Sequence, residues 1–248
     1  MPSLTRSALR GILATAVTVA AVLAAEVGAA VLRPVPHQPE FDPSGTVGTG
    51  EIRHRWLVLG DSSITAPGVP GPGDIWVRRV AAARSDPGAI EITSLAVGGV
   101  RARHVRDDQL PRIPASVTYD VVFVSVGAND VLKGEPIWRH RRALEDIVSR
   151  LTERHGLIVL SGVGDLATIP RFTWPLDRIV GARARRFDAE AAAIAERWGA
   201  TKVDHWASTA PAFRSDPAVF SADLLHPNAR GHEIWANAVD DLLNRTLD

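Results

Sequence analysis

The sequence predicts an α/β domain built on an open parallel sheet, and three observations carry that prediction. Short apolar, β-branched runs alternate with longer segments of helical period, the order expected where strands are joined by crossover helices. Three of the runs stop abruptly at small or amide-bearing residues: Leu57-Val58-Leu59 at Gly60-Asp61-Ser62, Ile90 to Val97 at Gly98-Gly99, and Val121 to Val126 at Gly127-Ala128-Asn129-Asp130. Buried strands whose carboxyl ends open into loops along one edge have this form. About 200 residues follow a distinct N-terminal segment, enough for one domain with a full core.

The N-terminal segment has a different composition. Arg6 and Arg10 precede an Ala/Val/Leu-rich run from Gly11 to Leu32, interrupted only by Glu26 and carrying small residues at Gly28-Ala29-Ala30. A basic start, an apolar middle and a small-residue end describe an export signal with a cleavage site. The same run is long enough to span a bilayer as an anchor, with the two arginines holding the N-terminus in the cytoplasm. Residues 1–32 are therefore expected to export the chain as a signal peptide or membrane anchor, and either way the domain lies outside. No cysteine follows the segment, or occurs anywhere, which excludes a lipid-modified cysteine, a disulfide framework and a thiolate metal site. Residues 33–53, with Pro34, Pro36, Pro39, Pro43 and several glycines, read as a spacer. The folded domain is expected over 54–248.

Within that domain the elements follow in order. After the first strand, a helix is expected over Asp74 to Arg84, then the strands ending at Gly98 and Gly127. A helix within Ile137 to Arg154 rests on Ile137, Leu144, Ile147, Val148 and Leu151 at helical spacing. Leu157-Ile158-Val159-Leu160 is the fourth strand, and a long helix from Leu176 to Trp198 leads to a short strand around Thr201 to Val203. The last helix, Asn228 to Leu243, places Ile234, Trp235, Ala238, Val239 and Leu242 on its inner face. If the first strand is flanked by the second and third, in the doubly wound order 2-1-3-4-5, then Ser62, Gly99 and Asn129 lie side by side on one edge.

That edge joins a hydroxyl to a backbone N–H and a side-chain amide, the parts of a nucleophile with an oxyanion hole. A neutral serine hydroxyl is a weak nucleophile and needs an imidazole held in one tautomer by a carboxylate. Asp223-Leu224-Leu225-His226-Pro227 offers that pair. Pro227 suits the first turn of a helix, which would leave Asp223 and His226 in the preceding loop, free to be aimed at the sheet edge.

In these four blocks, Gly60-Asp61-Ser62-Ser63, Gly99, Gly127-Ala128-Asn129-Asp130 and Asp223-Leu224-Leu225-His226, the chain resembles the SGNH (GDSL-like) hydrolases, from about Trp56 to the C-terminus. The resemblance implies a flavodoxin-like three-layer α/β/α sandwich and hydrolysis of esters or thioesters without a metal or other cofactor. It implies Ser62 as nucleophile, His226 as base and Asp223 as its partner, with the N–H of Ser62 and Gly99 and the Asn129 amide as the oxyanion hole. Two departures stand out: Ser63 replaces the leucine of GDSL, and Ser94 stands where the second block usually has asparagine. Because Gly98 and Gly99 are adjacent, Gly98 is the alternative oxyanion donor.

The balance of 28 basic and 28 acidic residues provides no field for nucleic acid. Gly162-Val163-Gly164-Asp165-Leu166-Ala167 matches a dinucleotide-binding pattern but follows the fourth strand instead of the first, so a nucleotide-binding domain is the weaker expectation. His226 and His232 lack a third ligand for a metal, and His232 reads as a capping or surface residue. The loops Ala167 to Pro175 and Ala66 to Gly73 are candidate rims for a substrate pocket. The expected activity is that of a serine esterase on carboxylic esters of short to medium acyl chains, on a small-molecule, lipid or glycan ester. An acyltransferase or a carbohydrate O-acetyl esterase on the same fold is the alternative. Membrane contact is expected only through the N-terminal segment.

Overall fold

The computed structural model describes residues 6–247. The side chains of Arg6 and Arg10, on which the expected orientation of the N-terminal segment rests, lie outside what is described. Helix α1 (Arg6–Leu32) contains an apolar stretch, Ile12–Ala30, long enough to cross a membrane. Val17, Val19 and Val27 along it are exposed to solvent.

The domain is a three-layer α/β/α sandwich around a six-stranded, mostly parallel sheet: β1 (Gly45–Gly48), β2 (Ile52–Gly60), β3 (Ala89–Ser94), β4 (Val121–Ser125), β5 (Leu157–Leu160) and β6 (Thr201–Lys202), in the spatial order β1-β3-β2-β4-β5-β6. The five parallel strands reproduce the expected order 2-1-3-4-5. The sixth comes from the stretch read as spacer, so the ordered sheet begins before His54. Gly45–Gly48 pairs antiparallel with β3 in the register Gly45↔Ile92 to Gly48↔Ala89 and covers what would be an open edge. Residues 33–44 and 49–51 of this stretch lie outside helices and strands.

Alternation along the strands builds the two faces, because successive side chains point to opposite sides. Trp56, Val58, Phe123 and Val159 face one way, against α3 (Trp76–Arg84) and α10 (Ala229–Leu247) through Trp76, Val80, Val239 and Leu243. Leu57, Leu59, Val122, Val124, Ile158 and Leu160 face the other way, against α6 (Ile137–Thr152) and α7 (Leu176–Trp198) through Leu144, Ile147, Val148, Leu151 and Ile194. Burying Leu57, Leu59 or Ile147, each fully removed from solvent, contributes about 1.5–3 kcal/mol per side chain.

Short helices punctuate the carboxyl edge of the sheet: α2 (Ser62–Thr65) after β2, α4 (Ala102–His104) after β3, α5 (Ala128–Leu132) after β4, and α8 (His205–Ser208) with α9 (Ala210–Ser215) after β6. The last helix starts one residue later than expected. Asn228 caps it, its side-chain oxygen accepting from the N–H of Arg230 and Gly231, so Pro227 precedes the helix and does not lie in its first turn. Pro227 instead forms an isolated antiparallel bridge with Phe220. His232 is buried, not at the surface, and its Nδ1 accepts the N–H of Trp76 at 3.3 Å. It thereby satisfies an unpaired donor at the start of α3.

Candidate active site

The turn after β2 is shaped by a close approach of two strands. Gly60 has φ +152°, and a Cβ there would lie 2.1 Å from the carbonyl oxygen of Ser125. Only glycine lets β2 and β4 meet at this point. Gln109 holds the same residue from both sides, its amide oxygen accepting the Gly60 N–H at 2.9 Å and its amide nitrogen donating to the Gly60 carbonyl at 2.8 Å. Asp61 then caps α2, accepting the Ser63 N–H at 3.0 Å. Burial pushes the Asp61 carboxyl up from its ordinary pKa, against hydrogen bonds from Ser63 and Asn129 that oppose the shift. Ser62 occupies the first position of α2, where a backbone N–H has no intrahelical partner.

Opposite lies the loop before α10. His226 Nε2 is 3.1 Å from Ser62 Oγ, and His226 Nδ1 is 2.6 Å from Asp223 Oδ2. The other carboxylate oxygen, Asp223 Oδ1, accepts three hydrogen bonds: from the Ser221 hydroxyl at 2.7 Å, the Leu225 N–H at 2.8 Å and the His226 N–H at 2.9 Å. Burial alone would raise the Asp223 carboxyl. The bonds from His226, Leu225 and Ser221 outweigh burial and hold it well below the usual carboxylate range. Leu224, at φ +59°, adopts the left-handed conformation that tightens this loop.

Arg171 braces the loop from outside, a role the sequence did not signal. Its backbone N–H donates to Leu224 O, and its Nη1 donates to Asp223 O at 3.0 Å. The same guanidinium donates to Ala30 O at 2.9 Å and to Arg33 O, and the Thr173 hydroxyl meets Glu26. The end of α1 is thus joined to the loop that carries Asp223 and His226.

Asn129, in α5, lines the same cavity as Ser62 and His226, and its amide nitrogen donates to Asp61 Oδ2 at 3.2 Å. Ser63 and Ser125 join at 2.7 Å between their hydroxyls, so the serine that departs from the GDSL pattern ties α2 to β4. Gly99 is not among the cavity-lining residues. It lies on an exposed turn after β3 at φ +74°, with its carbonyl accepting from Lys133 Nζ. Its neighbour Gly98 lies against the carboxylate end of Glu40.

The cavity has a volume of about 150 Å³. It runs from Ser62 past Val126, Leu132 and Val163 to Ile169, Phe213 and Trp235. The loop Ala167 to Pro175 contributes Thr168 and Ile169, whereas Ala66 to Gly73 contributes nothing to the lining. Gly162 to Leu166 also lines it, but Asp188 Oδ1 accepts the Val163 N–H and Asp165 Oδ1 the Ala167 N–H. A phosphate cradle needs such N–H groups aimed at the ligand from a helix N-terminus, and here carboxylates already occupy them. Among the described residues, no group of three His, Asp or Glu side chains could hold a metal ion.

Comparison with solved structures finds the same fold in enzymes of low sequence identity. An α/β hydrolase enzyme from the metagenome of Lake Arreo, Spain, is 20% identical at a TM-score of 0.63, covering 79% of this chain and 97% of that one. A member of the lipolytic G-D-S-L family from Veillonella parvula is 19% identical at 0.62, covering 77% and 98%. An acetylxylan esterase from Geobacillus stearothermophilus is 20% identical at 0.59, covering 76% and 93%. Comparison with curated proteins found no significant match. The model of the GDSL-like lipase/acylhydrolase family matches residues 58–234, a span that includes Ser62, Asn129, Asp223 and His226. The chain belongs to the GDSL-like lipase/acylhydrolase family and is a carboxylic ester hydrolase.

Proposed function

We propose that the protein is an exported serine esterase acting on esters of short to medium acyl chains through a Ser62-His226-Asp223 triad. The observation that carries this reading is the unbroken hydrogen-bonded series from Ser62 Oγ through the His226 ring to Asp223 Oδ2, at the mouth of an apolar cavity. Ser62 Oγ attacks the ester carbonyl as His226 Nε2 takes its proton, and the ionised Asp223 holds Nδ1–H and stabilises the imidazolium. The imidazolium then gives its proton to the departing alkoxide. Water, deprotonated in turn by His226, attacks the acyl-serine and releases the acid.

The tetrahedral oxyanion would be met by the Ser62 N–H, the Asn129 amide and the Gly99 N–H. Gly99 is the preferred glycine donor and Gly98 its alternative. Leu95 and Val97 donate to Val58 O and Gly60 O, which carries the chain after β3 along the end of β2 up to the Gly98-Gly99 turn. The acyl chain length follows from the cavity: a dry pocket of this volume holds a guest about the size of benzene, hence about six carbons. Export is supported by the apolar α1. The likeness to an acetylxylan esterase keeps a carbohydrate O-acetyl ester as the second substrate class, in which only the acetyl group would enter the cavity.

The test is hydrolysis of p-nitrophenyl esters from acetate to palmitate by the full chain and by Ser62→Ala. Activity peaking between butyrate and octanoate and lost in Ser62→Ala is expected. Activity surviving in Ser62→Ala would refute the nucleophile, and a sharp maximum at acetate would favour the O-acetyl esterase.

A further inference from the structure

The cavity beside Ser62 contains, across from the Ser63–Ser125 pair, a second polar cluster that the triad does not use. Ser161 follows β5 directly, its N–H donating to Val124 O at 3.0 Å, and its hydroxyl lies 2.9 Å from His205 Nε2. Ser161, His205 and Thr209 all line the cavity.

The hydrogen-bond directions here can be deduced. The Thr209 hydroxyl donates to His205 O at 2.9 Å, so toward the imidazole it can only accept, and His205 Nδ1 lies 3.4 Å from it. Burial first, and Lys202 second, push the His205 pKa down to about 4, so at neutral pH the ring carries a single proton. That proton belongs on Nδ1, facing Thr209. Nε2 is then a bare acceptor and takes the Ser161 hydroxyl proton. Ser161 Oγ is left with lone pairs only, at the wall of a cavity whose other walls are largely apolar.

Distance along the sheet edge sets the reach. Ser62 lies beyond the end of β2 and Ser161 beyond the end of β5, with β4 between them, which separates the two hydroxyls by two strand spacings, on the order of 10 Å. Allowing about 2.8 Å for a hydrogen bond leaves about 7 Å, which an extended chain crosses in about five or six bonds. We propose that Ser161, oriented by His205, forms a specificity subsite that accepts a hydrogen bond from a hydroxyl or amide N–H on the acyl group, about five or six atoms from the ester carbonyl. The natural acyl group is then a medium chain with a polar donor near its end, and a plain alkyl chain leaves Ser161 without a partner. This inference rests on the serine esterase reading and on the same cavity.

The experiment compares ethyl hexanoate with ethyl 6-hydroxyhexanoate, with acid release by the full-length protein followed by pH-stat titration. The wild type should favour the hydroxylated ester in kcat/KM by about fivefold to tenfold, the worth of one net hydrogen bond. Ser161→Ala should abolish that preference, read as the ratio of kcat/KM for the two esters within the one variant, and Ser161→Thr, which keeps the hydroxyl, should retain it. A preference that persists in Ser161→Ala, or a wild type that favours ethyl hexanoate, overturns the subsite. Competition by hexane-1,6-diol against hexan-1-ol, with p-nitrophenyl acetate as substrate, reads the same contact without a variant. The diol should inhibit more strongly, and the opposite order overturns the proposal. Failure of the esterase reading has a different signature, because neither ethyl ester nor p-nitrophenyl acetate would then be hydrolysed, and the subsite would fall with it.

Discussion

Replacing Asp223 with Asn separates the chemistry of this site from its folding, because the two oxygens of that carboxylate do different work. Oδ1 accepts from Ser221, Leu225 and His226, and an asparagine keeps its single carbonyl oxygen on those three donors. Turning the amide round would set NH2 against three donors, leaving buried hydrogen-bond losses of about 1–3 kcal/mol each. The amide nitrogen must therefore face His226 Nδ1, 2.6 Å away in the parent. A donor at that position forces the imidazole proton onto Nε2, where it points at Ser62 Oγ and cannot receive the serine proton. The wrong tautomer costs about 10⁴-fold in kcat in serine hydrolases of this logic. Asp223→Asn should thus lower kcat on p-nitrophenyl hexanoate by about 10³–10⁴-fold, with KM little changed and thermal unfolding within a few degrees of the parent. Asp223→Ala, which strands all three donors, should lose both activity and much of its thermal stability. An Asp223→Asn variant retaining more than a tenth of the parent kcat would refute the tautomer argument.

Asn129→Ala should lower kcat by about 10²–10³-fold with a smaller change in KM, as expected for a donor that acts on the developing oxyanion, and steady-state kinetics on the same ester would check it. Gly60→Ala should destabilise the fold by several kcal/mol, since the new Cβ would meet the Ser125 carbonyl at a positive φ that itself costs about 1–3 kcal/mol. Its urea midpoint should fall and its activity should fall with it, whereas an unchanged midpoint would contradict the close approach. Stability should also decrease on acidification from pH 7 to 5. His205 and His232 are both buried, with pKa values pushed down to about 4 and about 3 by burial. The unfolded chain therefore binds protons below about pH 6.5 that the folded chain refuses, and stability is lost as pH falls through that window toward the folded values. A flat melting temperature between pH 7 and 5 would refute this, and His232→Asn should flatten part of the slope.

The strands that build the site were legible because each is a short β-branched run ending at Gly, Asp or Asn, and such runs are buried on both faces. Helix α7 spans the expected Leu176 to Trp198, and Gly199 in the left-handed conformation ends it. Strand β1 was not, since Gly-Thr-Val-Gly has too few residues for alternation to register, and it exists because the outer edge of β3 needs a partner. Ser62 with His226 and Asp223 could be anticipated from local blocks. Gln109 on Gly60, Arg171 on the Asp223 carbonyl and Ser161 on His205 could not, because each is a contact between segments far apart in sequence whose residue types are common on any surface. His232, read as a capping or surface residue, is buried and meets the N-terminus of α3: a histidine six positions from His226 says nothing of Trp76, whose N–H it accepts.

Ser62 and His226 are 164 positions apart, and they meet only once α10, through Val239 and Leu243, has packed on the face of the sheet that carries Trp56 and Val58. Contacts of such sequence separation form late, after the loop-closure entropy of the whole domain has been overcome. With Ser62 as the proposed nucleophile and His226 as its base, an extended chain would have no hydrolytic competence, because the two side chains meet only in the folded domain. Turnover of a chromogenic ester would in turn report completed folding, residue 62 to residue 226, without any added probe.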